Sequence, residues 1–365
     1  MKKHKILYIM NVDWNWIKQR PHYIAEGLSE KYPTKIAYRY RYDRSKLQDR
    51  AIRTKDLIPI FLIPKISNFN CLKWLNTAIF KFVVMGIVSK YKIDTLYLTF
   101  PDQVELIPLT YQGKIIYDCM DNHAAFIQDS RKQHILKEEE AKLIEQSDIV
   151  LVSSKYLLEN IINKFNNVDN KVKLVRNAYN GEIIQLQKIQ SPSRIFKMAY
   201  IGTLSSWFDW KTVMKVVDRK EDVELHLFGP LAKTQLPNSS RIVYHGTVDH
   251  SELYDLIKGM DVLIMPFIIN DIIKAVDPVK VYEYINFNKN IIMCRYDEVE
   301  RLKNFVYFYS SEDEFLDAIQ TIEKSRKVKY SNEERIKFLQ NNKWSNRVNQ
   351  IVELIECMDL PADLG

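Results

Sequence analysis

Lys280 and Glu283 lie three residues apart in the run Asp277-Pro278-Val279-Lys280-Val281-Tyr282-Glu283-Tyr284. Proline is favoured at the first position of a helix, where its missing N–H costs nothing, so the run predicts a helix opening at Pro278. A cation in the first turn opposes the helix dipole, and that cost is offset if an anion also binds there. Lys280 is therefore a candidate diphosphate clamp, flanked by the backbone of Pro278 and Val279. Glu283, on the same face, could accept hydrogen bonds from ribose hydroxyls. The two residues read equally as a solvated ion pair worth on the order of a few tenths of a kcal/mol.

Three apolar runs end in glycine: Ala199-Tyr200-Ile201-Gly202-Thr203, His226-Leu227-Phe228-Gly229-Pro230 and Tyr244-His245-Gly246. Glycine where a strand turns into a helix lets a phosphate reach backbone N–H groups and the positive helix end. Gly202 and Thr203 are placed for that, with Lys211 at the start of the following helix, although a tight turn alone would also explain Gly202. The full Gly-x-Gly-x-x-Gly pattern is missing, which argues against a nicotinamide or flavin enzyme.

In the first half, Asp118 and Asp121 follow an apolar run from Lys114 to Tyr117, and Asp13 follows another. A carboxylate overhanging strand ends could take the proton of an attacking hydroxyl, so Asp118 and Asp121 are the candidate general bases, though aspartate there also caps helices. Arg20 and His22, near the start of the first long helix, could contact an acceptor phosphate or a diphosphate; a histidine is more often a packing residue. Trp14 and Trp16 could stack on a sugar ring or fill the core.

These residues need a scaffold, and the chain alternates short β-branched runs with helical periodicity nearly end to end, the pattern of parallel sheets covered by helices. Seven strands are expected before a linker containing Gly181, Ser191, Pro192 and Ser193, and five after it. The expected fold class is α/β, with two doubly wound Rossmann-like domains facing each other across a central cleft, because ligands in such sheets bind outside the carboxyl ends of the strands. The domains fall at 1–180 and 181–340, with a closing helical segment, 341–365, expected to return to the first. No internal repeat or low-complexity segment is evident.

The 365 residues are too many for one core, and 46% hydrophobic with 27% charged residues excludes disordered, collagenous and mucin-like classes. Four scattered cysteines, Cys71, Cys119, Cys294 and Cys357, suggest neither a zinc site nor a disulfide framework and fit a reducing compartment. The apolar run after the basic N-terminus is too short for a signal peptide and meets Asp13 at once; no transmembrane helix is expected. Net charge is +7 and unevenly shared: residues 1–120 carry 20 Lys and Arg against 10 Asp and Glu, the remainder 33 against 36. The basic half suggests an anionic partner. Signatures of nucleic-acid binding are missing. Tyr38 to Arg44, Lys65 and the segment from Phe69 to Tyr91 with Trp74, Phe80 and Phe82 mix aromatics with cations, as suits an anionic membrane face; an ordinary buried helix would also explain the segment.

Taken in order, Tyr200-Ile201-Gly202-Thr203, Phe228-Gly229-Pro230, His245-Gly246, the run from Asp261 to Pro266, Pro278-x-Lys280-x-x-Glu283-Tyr284 and Asn342-Lys343-Trp344-x-x-Arg347 resemble the GT-B glycosyltransferases of bacterial surface-polysaccharide synthesis, of the teichuronic acid and capsule type. Trp14-x-Trp16-x-Lys18-Gln19-Arg20-Pro21-His22 and Tyr117-Asp118-Cys119-Met120-Asp121 resemble the same group. Lys280 is similar to the phosphate-binding lysine of the xanthan glucuronosyltransferase. The resemblance implies a nucleotide-sugar donor, UDP-linked, held by the second domain through Gly202, Thr203, Lys211, Gly229, His245, Pro278, Val279, Lys280 and Glu283. It implies an acceptor, a lipid-linked glycan, held by the first through Asp13, Trp14, Trp16 and Arg20, with Asp121, Asp118 or His22 catalytic. It further implies a peripheral enzyme at the cytoplasmic face of the membrane, with no cofactor and no bound metal. Many retaining members carry two glutamates eight residues apart; Glu283 can be the second, but Ala275 stands at the first. A nucleotide-sugar epimerase and a non-catalytic glycan-binding partner are the alternatives within this fold.

Overall fold

The computed structural model describes residues 4–40, 54–62, 70–185, 195–232 and 234–358. The stretch Arg41 to Arg44, Lys65, Phe69 and the linker residues Ser191, Pro192 and Ser193 lie outside the described residues. The chain divides into two compact units, Met1–Asn177 with Trp344–Gly365, and Ala178–Lys343.

In the first unit the elements run β1 (Ile6–Met10), α1 (Arg20–Lys31), β2 (Thr34–Arg39), β3 (Leu57–Ile60), α2 (Asn70–Tyr91), β4 (Thr95–Leu98), β5 (Lys114–Cys119), α3 (Ser130–Gln146), β6 (Ile149–Val152), α4 (Lys155–Lys164) and β7 (Val172–Leu174). The strands form one parallel sheet in the order β3-β2-β1-β4-β5-β6-β7. β1 is central and wholly buried, which is why its sequence is continuously apolar instead of alternating. Chain order reverses between β1 and β4, so the crevice beyond their carboxyl ends is where such a sheet binds ligands.

The second unit repeats the design with β8 (Phe196–Ile201), α5 (Trp210–Arg219), β9 (Val223–Phe228), β10 (Ile242–Gly246), α6 (His250–Ile257), β11 (Val262–Met265), α7 (Asp271–Lys274), α8 (Val279–Asn286), β12 (Asn290–Cys294), β13 (Tyr307–Tyr309), α9 (Glu312–Ser325) and α10 (Asn332–Asn341). Its parallel sheet is ordered β10-β9-β8-β11-β12-β13, with the reversal between β8 and β11. β8 pairs with β9 along its full length, to Ile201 opposite Phe228. With β11 it pairs only at Met198 and Ala199, so the two strands part before their carboxyl ends and leave an opening at the reversal.

Within the closing segment the helix is α11 (Trp344–Cys357), which belongs to the first unit, while α10 ends before Lys343 in the second. Trp344 stacks on Tyr23 of α1 with centroids 5.0 Å apart, and Val348, Ile351 and Ile355 are buried. A side chain at Gly27 of α1 would overlap Val348, so glycine is what lets the helices approach. The short β13 has too few residues for periodicity to reveal it. Pro278 is the N-cap residue of α8, one position earlier than expected, because its ψ of 106° is extended.

Candidate functional site

At the β8/β11 opening, Gly202 and Gly229 have φ of +153° and +137° and Gly246 has +70°. Gly202 N–H donates to Phe228 O at 2.8 Å and Gly229 N–H to Gly246 O at 2.7 Å, tying three adjacent strand ends into one rim. A Cβ on Gly229 would run into the backbone of Gly202, so no other residue fits. Thr203 is half-buried and its carbonyl accepts from the Tyr200 hydroxyl at 3.2 Å.

α8 meets this rim through its buried Tyr284. Tyr284 Oη accepts from Ile201 N–H at 2.9 Å, the backbone donor that β11 leaves unpaired by diverging. Tyr282 lies 3.1 Å from the Arg301 guanidinium, which also pairs with the buried Asp277 carboxylate just before Pro278. Burial opposes the Arg301 charge, yet Asp277 outweighs it and holds the guanidinium above its ordinary pKa. Sequence reasoning passed over Arg301; nothing in its local pattern marks it.

The helix so positioned begins without a side-chain cap, whereas Asp209, Ser311 and Ser331 cap α5, α9 and α10. Its first N–H groups are thus open to an anion. Val279 is exposed, and Lys280 Nζ pairs with Glu283 at 2.8 Å, both side chains accessible, at 39% and 17%. Lys211 is exposed on the first turn of α5. His245 is exposed beside Gly246, its ring parallel to Phe228 at 4.3 Å. The structure thus gathers the glycines at one rim, pins α8 to the strand that leads into Gly202, and leaves Lys280 and His245 accessible.

In the first unit most of the expected site residues are buried. Asp118 is completely buried at the end of β5, where its carboxylate accepts from Arg20 Nη2 at 2.8 Å, Arg20 Nε at 3.1 Å and Tyr97 Oη at 3.0 Å. Those contacts and the lack of exposed surface make Asp118 a buried partner of Arg20 and leave it no open face at the strand end. Arg20, 5% exposed, spends its other end on Val175 O at 2.7 Å, so it is not an acceptor contact either. Burial disfavours its charge, but Asp118 holds its pKa above the usual value. Asp13 and His22 are likewise fully buried and Trp14 nearly so. Asp13 Oδ1 accepts from Asn15 N–H at 2.8 Å, and His22 Nδ1 accepts from Gln19 N–H at 3.2 Å in the first turn of α1. Trp14 packs on the His22 ring at 5.3 Å. These residues hold the loop between β1 and α1, in which Trp16 is half-buried.

Asp121 differs. It lies beyond the end of β5, half-buried, and pairs with no cation among the described residues. Desolvation pushes its pKa up to about 6, against the opposing field of Arg20, while the Asp118 charge adds to the rise. Next to it, burial pushes His123 down to about 4, and its Nε2 has no hydrogen-bond partner among the described residues. A carboxyl poised near neutrality at a strand-end rim suits proton transfer. Among the described residues, no cluster of three His, Cys, Asp or Glu side chains is arranged to hold a metal.

No protein-family model matches the sequence. The chain is 26% identical over 252 residues to the Bacillus subtilis (strain 168) protein carried under the provisional name teichuronic acid biosynthesis glycosyltransferase TuaH, covering 63% of this chain and 62% of that relative. Among solved structures, the sucrose-phosphate synthase of Thermosynechococcus elongatus superposes with a TM-score of 0.73 at 12% identity, over 98% of this chain and 99% of the other. HepE of Anabaena, solved in complex with UDP and glucose, superposes with a TM-score of 0.67 at 12% identity, over 97% and 99%. The chain has the GT-B fold and is similar, as its motifs led us to expect, to glycosyltransferases of bacterial surface-polysaccharide synthesis.

Proposed function

We propose that the chain is a glycosyltransferase that moves a sugar from a UDP-sugar to a hydroxyl of a lipid-linked glycan at the cytoplasmic face of the membrane. The observation that carries this reading is the uncapped start of α8, with Lys280 in its first turn, pinned by Tyr284 to the strand that leads into Gly202. In glycosyl transfer the bond from the sugar's anomeric carbon to the diphosphate breaks, and charge grows on the leaving oxygen. Helix N–H groups and the Lys280 ammonium stabilise that charge where it develops. The Glu283 carboxylate, beside Lys280 on the same face of α8, accepts from ribose hydroxyls. Asp121 takes the proton of the acceptor hydroxyl. The UDP bound by HepE supports the choice of donor base.

Membrane attachment has its own support in α2. Phe80, Val84 and Ile87 are buried, whereas Trp74 and Phe82 are 73% and 77% exposed, with Leu75 and Met85 exposed as well. Such a stripe on a basic unit suits insertion at an anionic interface. No helix among the described residues is long and apolar enough to cross a membrane.

The test is acceptor-dependent release of UDP by the purified chain, using a panel of UDP-sugars with membrane extracts as acceptor. Release that requires acceptor and disappears in Lys280→Ala is expected. Isomerisation of the donor without acceptor would establish an epimerase instead, and UDP binding without turnover under any condition would establish a binding partner. Co-sedimentation with phosphatidylglycerol vesicles, lost in Trp74→Glu/Phe82→Glu, tests the membrane face.

A further inference from the structure

The side chains of Glu224, His226 and Phe228 alternate onto one face of β9, and His245 of β10 completes the group. His226 Nδ1 and His245 Nε2 are 3.0 Å apart. The ring centroids are 5.3 Å apart and the planes within 16° of parallel, which is the separation of two imidazoles lying edge to edge in nearly one plane and sharing a hydrogen bond. On its far side, His226 Nε2 faces Glu224 Oε2 at 3.4 Å.

This chain of groups fixes the tautomers. A carboxylate only accepts, so the imidazole nitrogen turned toward Glu224 carries the proton; the opposite tautomer would set a lone pair against a negative charge. With Nε2 protonated, neutral His226 has its Nδ1 lone pair free, and His245 must donate to it from Nε2. The remaining nitrogen of His245, Nδ1, is then an acceptor. Desolvation lowers the pKa of both histidines, and His226 is lowered further by its neighbour, which favours the neutral forms.

We propose that Glu224, His226 and His245 form a tautomer relay that presents the His245 Nδ1 lone pair to the base of the donor nucleotide, selecting bases with an N–H at that edge. Uracil offers its N3–H there; cytosine, nearly the same shape, offers a lone pair and is rejected. The relay rests on the donor site proposed above and deepens it, assigning the base to the β10 end of the rim. β10 is two strands from β8, about 10 Å at the usual strand spacing, a distance that a ribose and base bridge when the diphosphate sits at Gly202 and α8. Phe228 covers one face of the His245 ring and holds it in place.

Two measurements test this. In isothermal titration, wild type is expected to bind UDP at least about tenfold more tightly than CDP, the effect of one mismatched hydrogen bond. In His245→Ala both nucleotides are expected to bind through their diphosphates, with the preference reduced to about threefold or less. Nitrogen-15 spectra of the histidines without nucleotide are expected to show both His226 and His245 protonated at Nε2. Retention of the full UDP preference in His245→Ala, a preference for CDP, or the opposite tautomer at either histidine would overturn the relay while leaving the donor site standing. Failure of wild type to bind any nucleoside diphosphate would instead remove the donor site and the relay with it.

Discussion

Tyr284 Oη lies 2.9 Å from Ile201 N and 3.3 Å from Ile201 O, so one hydroxyl satisfies both backbone groups of the last residue of β8. It stands where β11 would have continued the ladder had the two strands not parted. A single buried side chain thus keeps the opening at the sheet reversal from costing an unsatisfied N–H, and fixes α8 beside Gly202 in doing so.

Tyr284→Phe should therefore do two separable things. Leaving the Ile201 N–H buried and unpaired costs about 1–3 kcal/mol, visible as a lower denaturant midpoint with an unchanged m-value. Because α8 then loses its tether to the rim, UDP affinity measured on folded protein should fall as well. A stability loss with unaltered UDP affinity would show that the tether does not position the donor site.

Lys280→Met inverts that pattern. The Lys280–Glu283 pair is half accessible, so its loss should change stability by less than about 0.5 kcal/mol. The lysine's proposed partner is a diphosphate, and removing a charge-assisted contact should weaken UDP binding by about 1.5–3 kcal/mol, roughly ten- to more than a hundredfold. Uridine, which lacks the phosphates, should compete equally with wild type and variant in a displacement assay. Equal UDP affinity in the two proteins would remove Lys280 from the donor site.

Much of this site is legible in the chain, and the residues show where reading stops. The Pro278-x-Lys280-x-x-Glu283 spacing and the glycines closing three apolar runs identify the rim of the second unit, because helix caps and close backbone approaches are local properties. Choosing between Asp118 and Asp121 is not local. The apolar run stops at Tyr117, but β5 continues to Cys119, paired with β6 through Asp118 and Cys119, and those extra residues put Asp118 in the sheet interior. Its compensating partners, Arg20 and Tyr97, are 98 and 21 residues away, and no periodicity links them. The His226–His245 bond depends on the register of β9 against β10, which a sequence pattern does not fix.

Asp121 gives a pH dependence in which activity and stability move in opposite directions. Its folded pKa of about 6 lies above the ordinary carboxylate value of 3.8, so between those limits the folded state holds more protons than the unfolded one. The group's contribution to stability therefore rises as pH falls from about 6 toward 4, by up to about 3 kcal/mol. A general base must be ionised, so the rate of sugar transfer should fall over the same range, with an acid limb near pH 6. Asp121→Asn should lower kcat by about a hundredfold or more, remove that limb, and flatten the stability profile between pH 4 and 6. An acid limb that persists in Asp121→Asn would assign the titration to another group.

The Arg20–Asp118 pair should behave as structure. Both partners are buried and every lone pair of the carboxylate that faces Arg20 or Tyr97 is filled, so Asp118→Asn or Arg20→Met leaves an uncompensated charge or donor and should cost about 3–5 kcal/mol. Replacing both, as Arg20→Met with Asp118→Leu, removes the unpaired charge and should recover much of that loss, because a buried ion pair gains little over well-packed apolar groups. If the role is scaffolding, kcat per folded molecule in the double variant should stay within about threefold of wild type, the scatter expected for a change that touches no reacting group. Active-site titration with UDP counts the folded molecules, and thermal unfolding reports the stability. A double variant that regains stability yet transfers no sugar would return Asp118 to the chemistry and displace Asp121 as the sole base.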